Sequence, residues 1–146
     1  MLPLSLRKDS PMNTHRIFAL LALLITTSIA NAALPPLREE DRIAYASHIV
    51  TGHVTSLTMH EKPRGEAWSD YIYTVEMIVS GVEKGSDVSV GQTFAFTYWK
   101  WGKHPTGWCG NSGQYSMIHA GDNIKAYVVK QDSGYELLTP NGFEKF

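Results

Sequence analysis

His48-Ile-Val-Thr-Gly-His-Val-Thr-Ser-Leu-Thr-Met59 is the stretch of sequence that decides the fold class. Its residues alternate, so that one set of side chains beginning with Ile49 faces one way and the set beginning with Val50 faces the other. Gly52 lies in the middle of the run, where a glycine indicates a bulge or sharp bend that coils a long strand. The pattern predicts one long, bent β-strand over residues 48–59.

Further strand patterns follow, separated by turn signals. They predict strands over residues 71–82, 87–90, 93–99, 123–130 and 135–139. Asp132-Ser-Gly134 predicts a tight hairpin between the last two strands. A short helix is predicted over residues 37–46, because Pro36 precedes it and acidic residues lie near its positive N-terminal end.

Short strands joined by turns indicate an all-β domain. A long bent first strand, a meander and a long connection before a closing hairpin favour a small five-stranded Greek-key barrel of the OB type. One short N-terminal helix would precede that barrel. A β-sandwich is the alternative.

The N-terminal 32 residues have the three parts of a secretory signal peptide. Met12-Asn-Thr-His-Arg16 is a basic n-region, residues 17–29 are an apolar h-region, and Ala30-Asn-Ala32 is a small-x-small cleavage site. The apolar run is shorter than the roughly 20 residues that a membrane-spanning helix needs. We therefore expect a periplasmic or secreted protein with no membrane span after cleavage, and one domain over residues 33–146. Residues 1–11 precede this n-region, and we interpret them either as the result of a misassigned start codon or as an extension of the n-region.

The charge balance argues against nucleic acid as a partner. The chain holds 13 Lys and Arg residues and 14 Asp and Glu residues. Removing residues 1–32 takes away Arg7, Lys8, Arg16 and Asp9, which leaves a formal charge of −3 and no basic stripe.

Cys109 is the only cysteine in the sequence. Export usually permits disulfides, but a single thiol cannot form one within the chain. Cys109 is therefore buried, free, or paired with another molecule, and the last case would give a dimer.

Residues 98–114, which we call the aromatic loop, concentrate the residue types that most often make contacts. Trp99, Trp101 and Trp108 lie here with Lys103 and Gln114. Tryptophan offers a large rigid face with one polar handle and is frequent at binding hot spots. These five residues are the candidate ligand-binding set, for an envelope protein, a peptide or a glycan. The alternative is that the first two tryptophans cover the mouth of the barrel and the third anchors the loop.

A metal-binding or thiol-active protein is the second functional hypothesis. His104, Cys109 and His119 could bind zinc or copper, since imidazole and thiolate are good ligands for both metals. Their spacing does not form a local metal motif, and the expected cofactor content is otherwise none. Cys109 could also act as a nucleophile with one of these histidines as base. No serine elbow and no phosphate-binding glycine loop is present. No catalytic residue is therefore assigned; enzymatic activity stays open, with a non-enzymatic role favoured.

Five phrases of the sequence carry a resemblance to a known group. His48-Ile-Val-Thr-Gly-His-Val-Thr-Ser56 and the run from Tyr73 to Gly85 resemble the first two strands of netrin-like and metalloproteinase-inhibitor-like OB barrels. Gly121-Asp-Asn-Ile-Lys-Ala-Tyr-Val-Val129 with Tyr135-Glu-Leu-Leu-Thr-Pro-Asn-Gly-Phe143 resembles the closing hairpin of uncharacterised exported bacterial proteins of similar size. Residues 105–114 also resemble a loop of that group.

The resemblance covers roughly residues 45–143 and implies a fold and a compartment. The animal inhibitors depend on an N-terminal cysteine held by disulfides, whereas the expected mature N-terminus here is Ala33. Protease inhibition is therefore not implied.

Overall fold

Residues 34–146 are the part of the chain that the computed structural model describes, and they form one short helix and six strands. The elements are α1 (Glu39–Tyr45), β1 (His48–Pro63), β2 (Ser69–Lys84), β3 (Thr93–Trp101), β4 (Asn123–Gln131), β5 (Gly134–Leu137) and β6 (Phe143–Lys145). The predicted signal peptide, residues 1–32, lies outside the described residues.

The first strand is long and irregular, as its central glycine predicted. The pairing of β1 with β2 shifts register between Thr51 and Gly52, and again between Val54 and Ser56. A Cβ atom on Gly52 would lie 2.3 Å from the Ile78 carbonyl oxygen. Only glycine lets the two backbones approach this closely, so the bend of β1 depends on that residue.

The strand pairings form a closed circuit. β1 pairs antiparallel with β2 and β2 with β3, while β4 pairs antiparallel with β5 and with β1. The remaining link is parallel and short, because β3 meets β5 at one pair only, Thr97 with Glu136. β6 adds to β4. The all-β fold class is confirmed.

The alternation along β3 decides which aromatic rings lie inside. Phe94, Phe96 and Tyr98 are at most 3% exposed and belong to the main core with Val54 and Met77. Full burial of each such side chain contributes about 1.5–3 kcal/mol. The intervening residues of β3, which include Trp99 and Trp101, therefore lie on the outer face of the sheet.

One strand prediction was wrong. Residues 87–90 form an irregular connection, with a bend at Asp87 and a turn at Val90, rather than a strand, although Val88 is buried at 6% exposure. Gly85 and Gly91 flank this segment with φ of 104° and 87°, a left-handed backbone that ends strand geometry on both sides. The strand predicted over residues 135–139 is present but ends at Leu137, and β6 was not among the predicted strands.

The N-terminal helix is fastened to the far end of the chain. The Asn141 side chain accepts a hydrogen bond from the Leu37 backbone N–H at 2.8 Å and donates one to the Leu37 carbonyl at 2.9 Å. Arg42 pairs with Glu144 at 2.5 Å and lies over the Tyr127 ring at 4.6 Å. Asn141 lies in the turn before β6 and also holds α1 in place. Within residues 34–146, no helix has the length and apolar character needed to cross a membrane.

Candidate functional site

The long connection after β3 folds back onto the edge of that strand. The Trp101 N–H donates to the Ser112 carbonyl at 3.1 Å, and the Gln114 N–H donates to the Trp99 carbonyl at 3.0 Å. Gly113 has φ of 79°, and a Cβ there would lie 2.1 Å from the Trp99 carbonyl oxygen. Residues 112–114 therefore occupy the backbone hydrogen-bonding edge beside both tryptophans.

Gln114 does not offer a surface for a ligand. Its side chain is fully buried at 0% exposure. Its amide nitrogen donates to the Leu138 carbonyl, and its amide oxygen accepts from the Gly142 N–H at 3.2 Å. Because a buried amide with both ends bonded is satisfied, Gln114 joins the loop to the C-terminal segment, and we remove it from the candidate binding set.

The other aromatic residues of the loop pack in two pairs. Trp101 stacks on His104 with ring centroids 4.0 Å apart, and Trp108 meets Trp68 edge to face at 4.6 Å. A Cβ on Gly110 would lie 2.1 Å from the Trp108 ring, so that ring also rests on the loop backbone. Trp108 nevertheless keeps 39% of its surface exposed.

Trp68 was missed by the sequence reasoning because it lies in a different loop, between β1 and β2. Backbone bonds bring that loop to the aromatic one: Gly102 N–H donates to the Ser69 carbonyl at 2.8 Å, and Ser69 N–H donates to the Lys103 carbonyl at 3.0 Å. Lys103 itself points to Glu61, with 3.5 Å between the charged atoms. The pKa of Glu61 is lowered, chiefly by the hydrogen bond from Ser69.

Trp99 forms part of the wall of a surface cavity of about 390 Å³. Ile72 and Thr97 line the cavity beside the ring, and four charged residues line it as well: Lys62, Arg64, Asp70 and Glu136. Arg64 and Asp70 are paired, with 3.3 Å between nitrogen and oxygen. An indole ring flanked by hydrogen-bonding groups is a common composition of a ligand site.

A second cavity, of about 280 Å³, lies on the other side of the β3–β5 link. Its lining includes Thr74, Ala95, Gln131 and Ser133. Thr97 and Glu136 line both cavities, and these two residues are the single pair that joins β3 to β5. We call the two cavities together the outer groove.

Several polar groups of the outer groove have unused hydrogen-bonding capacity. Glu136 is only partly exposed, yet among residues 34–146 no side-chain hydrogen bond or ion pair engages its carboxylate. The Glu136 carboxylate can therefore accept hydrogen bonds from water or from a ligand that enters the groove.

The three predicted metal ligands lie in different surroundings. His104 stacks on Trp101, and Cys109 is exposed and free. The Nδ1 atom of His119 lies 3.3 Å from Lys145 Nζ and 3.7 Å from an oxygen of Asp122. Within the described part of the chain, no group of three or more His, Cys, Asp or Glu side chains is arranged to hold a metal ion. Zinc or copper binding by this trio stays a prediction.

A polar cluster that sequence reasoning missed lies at the start of β1. Asp87 receives three side chains: His48 through Nε2, Lys130 through Nζ, and the Tyr135 hydroxyl at 2.8 Å. The Nδ1 atom of His48 lies 2.8 Å from the Ser47 hydroxyl. The pKa of Asp87 lies well below its usual value, first because of Lys130 and then because of His48 and Tyr135.

This cluster has the residue types of a serine hydrolase triad but not its accessibility. His48 is 5% exposed, and a Cβ on Gly85 would lie 2.1 Å from its ring, so the β2–β3 loop covers it. The Ser47 hydroxyl accepts a hydrogen bond from the Lys130 N–H at 2.7 Å. Because these groups are bonded to one another, the cluster fastens β1 to the β2–β3 loop and to the β4–β5 hairpin.

No protein-family model matches the chain, and comparisons with curated proteins and with solved structures find no match. The geometry of the outer groove and of the aromatic loop is therefore the basis on which a function is inferred.

Proposed function

We propose that this protein is an exported, non-enzymatic binding domain that contacts its ligand through the aromatic loop and the outer groove. Trp99 and Trp101 supply ring faces, and Trp108 and Lys103 supply the exposed rim of the loop. The observation that supports the proposal is a cavity that Trp99 of β3 lines together with charged side chains, which are Lys62 and Arg64 at the end of β1, Asp70 of β2 and Glu136 of β5.

The proposal includes a fold and a compartment. The bent first strand and the circuit β1–β2–β3–β5–β4–β1, with β3 parallel to β5, support a small OB-like barrel of the netrin-like and metalloproteinase-inhibitor-like kind. In OB barrels the faces of the second and third strands, with adjacent loops, commonly bind ligands. Export rests on residues 1–32, and N-terminal sequencing of the protein from its native host tests it, with Ala33 expected as the first residue.

A tryptophan-based binding assay tests the function. We expect components of the cell envelope to perturb the indole N–H signals of Trp99 and Trp101 in NMR titrations of the purified protein. Trp99→Ala should weaken binding at least about tenfold, as expected for a buried aromatic contact.

Tyr45→Ala is the matched control for that experiment. Tyr45 is an aromatic residue that is 62% exposed on α1, and it lines neither cavity of the outer groove. Its removal should leave affinity within about twofold. If Trp99→Ala and Tyr45→Ala bind every ligand as tightly as the unmodified protein, the outer groove is not the binding surface and the proposal fails.

A further inference from the structure

The charges around Trp99 balance one another. Lys62 and Arg64 oppose Asp70 and Glu136 in the lining of the same cavity. An anionic ligand would meet two carboxylates there, and a cationic ligand would meet a lysine and an arginine. Because each kind of charge meets repulsion, the lining favours a neutral ligand that carries many hydrogen-bonding groups.

A peptide that adds as a strand is disfavoured at this place. The free edge of β3 is already used: Thr97 pairs with Glu136 of β5, and the backbone groups of Trp99 and Trp101 bond to residues 112–114. Strand addition draws its affinity from such main-chain groups. Recognition in the outer groove therefore depends on side chains.

The side chains in the groove suit vicinal hydroxyl groups. A carboxylate accepts hydrogen bonds at two oxygens, and lysine and arginine donate them, so neighbouring hydroxyls can be bound as donors and as acceptors. The Trp99 ring offers an apolar face for the C–H side of a sugar ring. The second cavity adds the hydroxyl and amide groups of Thr74, Gln131 and Ser133.

We infer that the outer groove binds a neutral glycan at two adjacent subsites, an assignment that rests on the proposed function. One sugar ring packs on Trp99 beside the ion pair of Asp70 and Arg64. The next ring lies against Thr74, Gln131 and Ser133. Glu136 lies between the two subsites because it lines both cavities, and its carboxylate accepts hydrogen bonds from hydroxyls of both sugar rings.

Calorimetry and NMR titration with small probes test this inference. The probes are chitobiose and cellobiose as neutral β-linked disaccharides, a uronate-containing disaccharide as an anionic rival, and an uncharged pentapeptide as a peptide rival. We expect the neutral disaccharides to bind and to shift the Trp99 indole signal. Their affinity should change little with salt, because no net charge is neutralised.

Two variants of Glu136 sharpen the test. Glu136→Ala should weaken disaccharide binding about tenfold, while Glu136→Gln should keep most of the affinity because an amide still bonds hydroxyl groups. A cationic ligand would lose affinity in both variants. Tyr45→Ala again serves as the control, with affinity within about twofold.

The possible outcomes separate the glycan assignment from the proposed function. If the peptide or the anionic disaccharide binds with dependence on Trp99 and the neutral disaccharides do not, the glycan assignment fails while the binding surface stands. If the neutral disaccharides bind with equal affinity to Trp99→Ala and Glu136→Ala, the outer groove is not their site. If none of the probes binds, the glycan assignment is overturned, and the envelope-component titration decides the proposed function separately.

Discussion

The Asp87 cluster and the outer groove are both rich in polar side chains, but they differ in what those side chains bind. Asp87 bonds to His48, Lys130 and Tyr135 at once, and His48 also faces Ser47. In the outer groove, the Glu136 carboxylate has no such partner among residues 34–146. The side chains of the first region bond to one another, whereas the Glu136 carboxylate of the second is left without a protein partner.

The difference separates stability from recognition. A polar network with every member bonded rigidifies the fold, and breaking it is costly. A partly exposed polar group without a protein partner adds no such rigidity and is available to water or to a ligand. Residue types alone would have ranked the Ser47, His48 and Asp87 set as the active site; its burial and its closed set of bonds argue against that.

The largest expected effect comes from filling the space above His48. Gly85→Ala should destabilise the protein by about 3 kcal/mol, because the added methyl combines an unfavourable positive φ with a collision against the imidazole ring. Gly91→Ala is the matched control in the same connection, since it has a similar φ of 87° and nothing within 4 Å of its Cβ position. Gly91→Ala should lower the free energy of unfolding by only about 1 kcal/mol.

Urea unfolding of both variants measures the difference between them. Folded Gly85→Ala protein should still bind the ligand of the outer groove, because no residue of that groove has changed. If the two variants lose equal stability, the packing of Gly85 on His48 contributes nothing and the cluster is not a structural fastening.

Sequence reasoning located the strands better than it located the polar contacts. Alternation is local, so it revealed most of β1 to β4, and the glycine of β1 revealed the bulge. Asp87 and His48 lie 39 residues apart and meet only through tertiary pairing, as do Trp68 and Trp108. The connection over 87–90 was misassigned because Val88 enters the core, which mimics a strand residue.

Only part of the candidate site could be predicted, because some of its residues meet only in the tertiary structure. The tryptophans at 99, 101 and 108 are visible as rare residues in one loop, and the alternation of β3 separates Trp99 from the buried Tyr98. The groove needs Glu136 of β5 beside Thr97 of β3, and a parallel contact of a single pair leaves no local signal. The burial of Gln114 was equally invisible, because its partners Leu138 and Gly142 come from the C-terminal segment.

A smaller loss of stability should appear when the pH is lowered, because acid protonates Asp87 and weakens its contacts with His48, Lys130 and Tyr135. The pKa of the Asp87 carboxyl is lower in the folded protein than in the unfolded chain, chiefly because of Lys130. Its contribution to stability is therefore fully present above the unfolded pKa of about 3.9 and is lost as pH falls toward the folded value.

Asp87→Asn should accordingly be less stable than the unmodified protein at neutral pH, and the gap in unfolding free energy should narrow below about pH 4. Chemical denaturation across the acid range checks this. Lys130→Met removes the first cause of the lowered Asp87 pKa. It should also be less stable than the unmodified protein at neutral pH, and this difference in unfolding free energy should likewise narrow below about pH 4. A gap that stays constant down to the most acidic condition would mean that the Asp87 contacts contribute no pH-dependent stability.

The smallest effect should come from Cys109, which belongs to neither region. Its thiol is exposed and free, so Cys109→Ser removes no buried contact and should change the unfolding free energy by less than about 0.5 kcal/mol. The unmodified protein should react with a thiol reagent without denaturant, and Cys109→Ser should bind the ligand of the outer groove with unchanged affinity. Elemental analysis of protein purified from its native compartment tests the metal hypothesis. Stoichiometric zinc or copper that is lost in Cys109→Ser would contradict the expectation that Cys109 has no functional role. That result would identify a metal site formed by Cys109, His104 and His119. The metal site, rather than the outer groove, would then be the main functional surface.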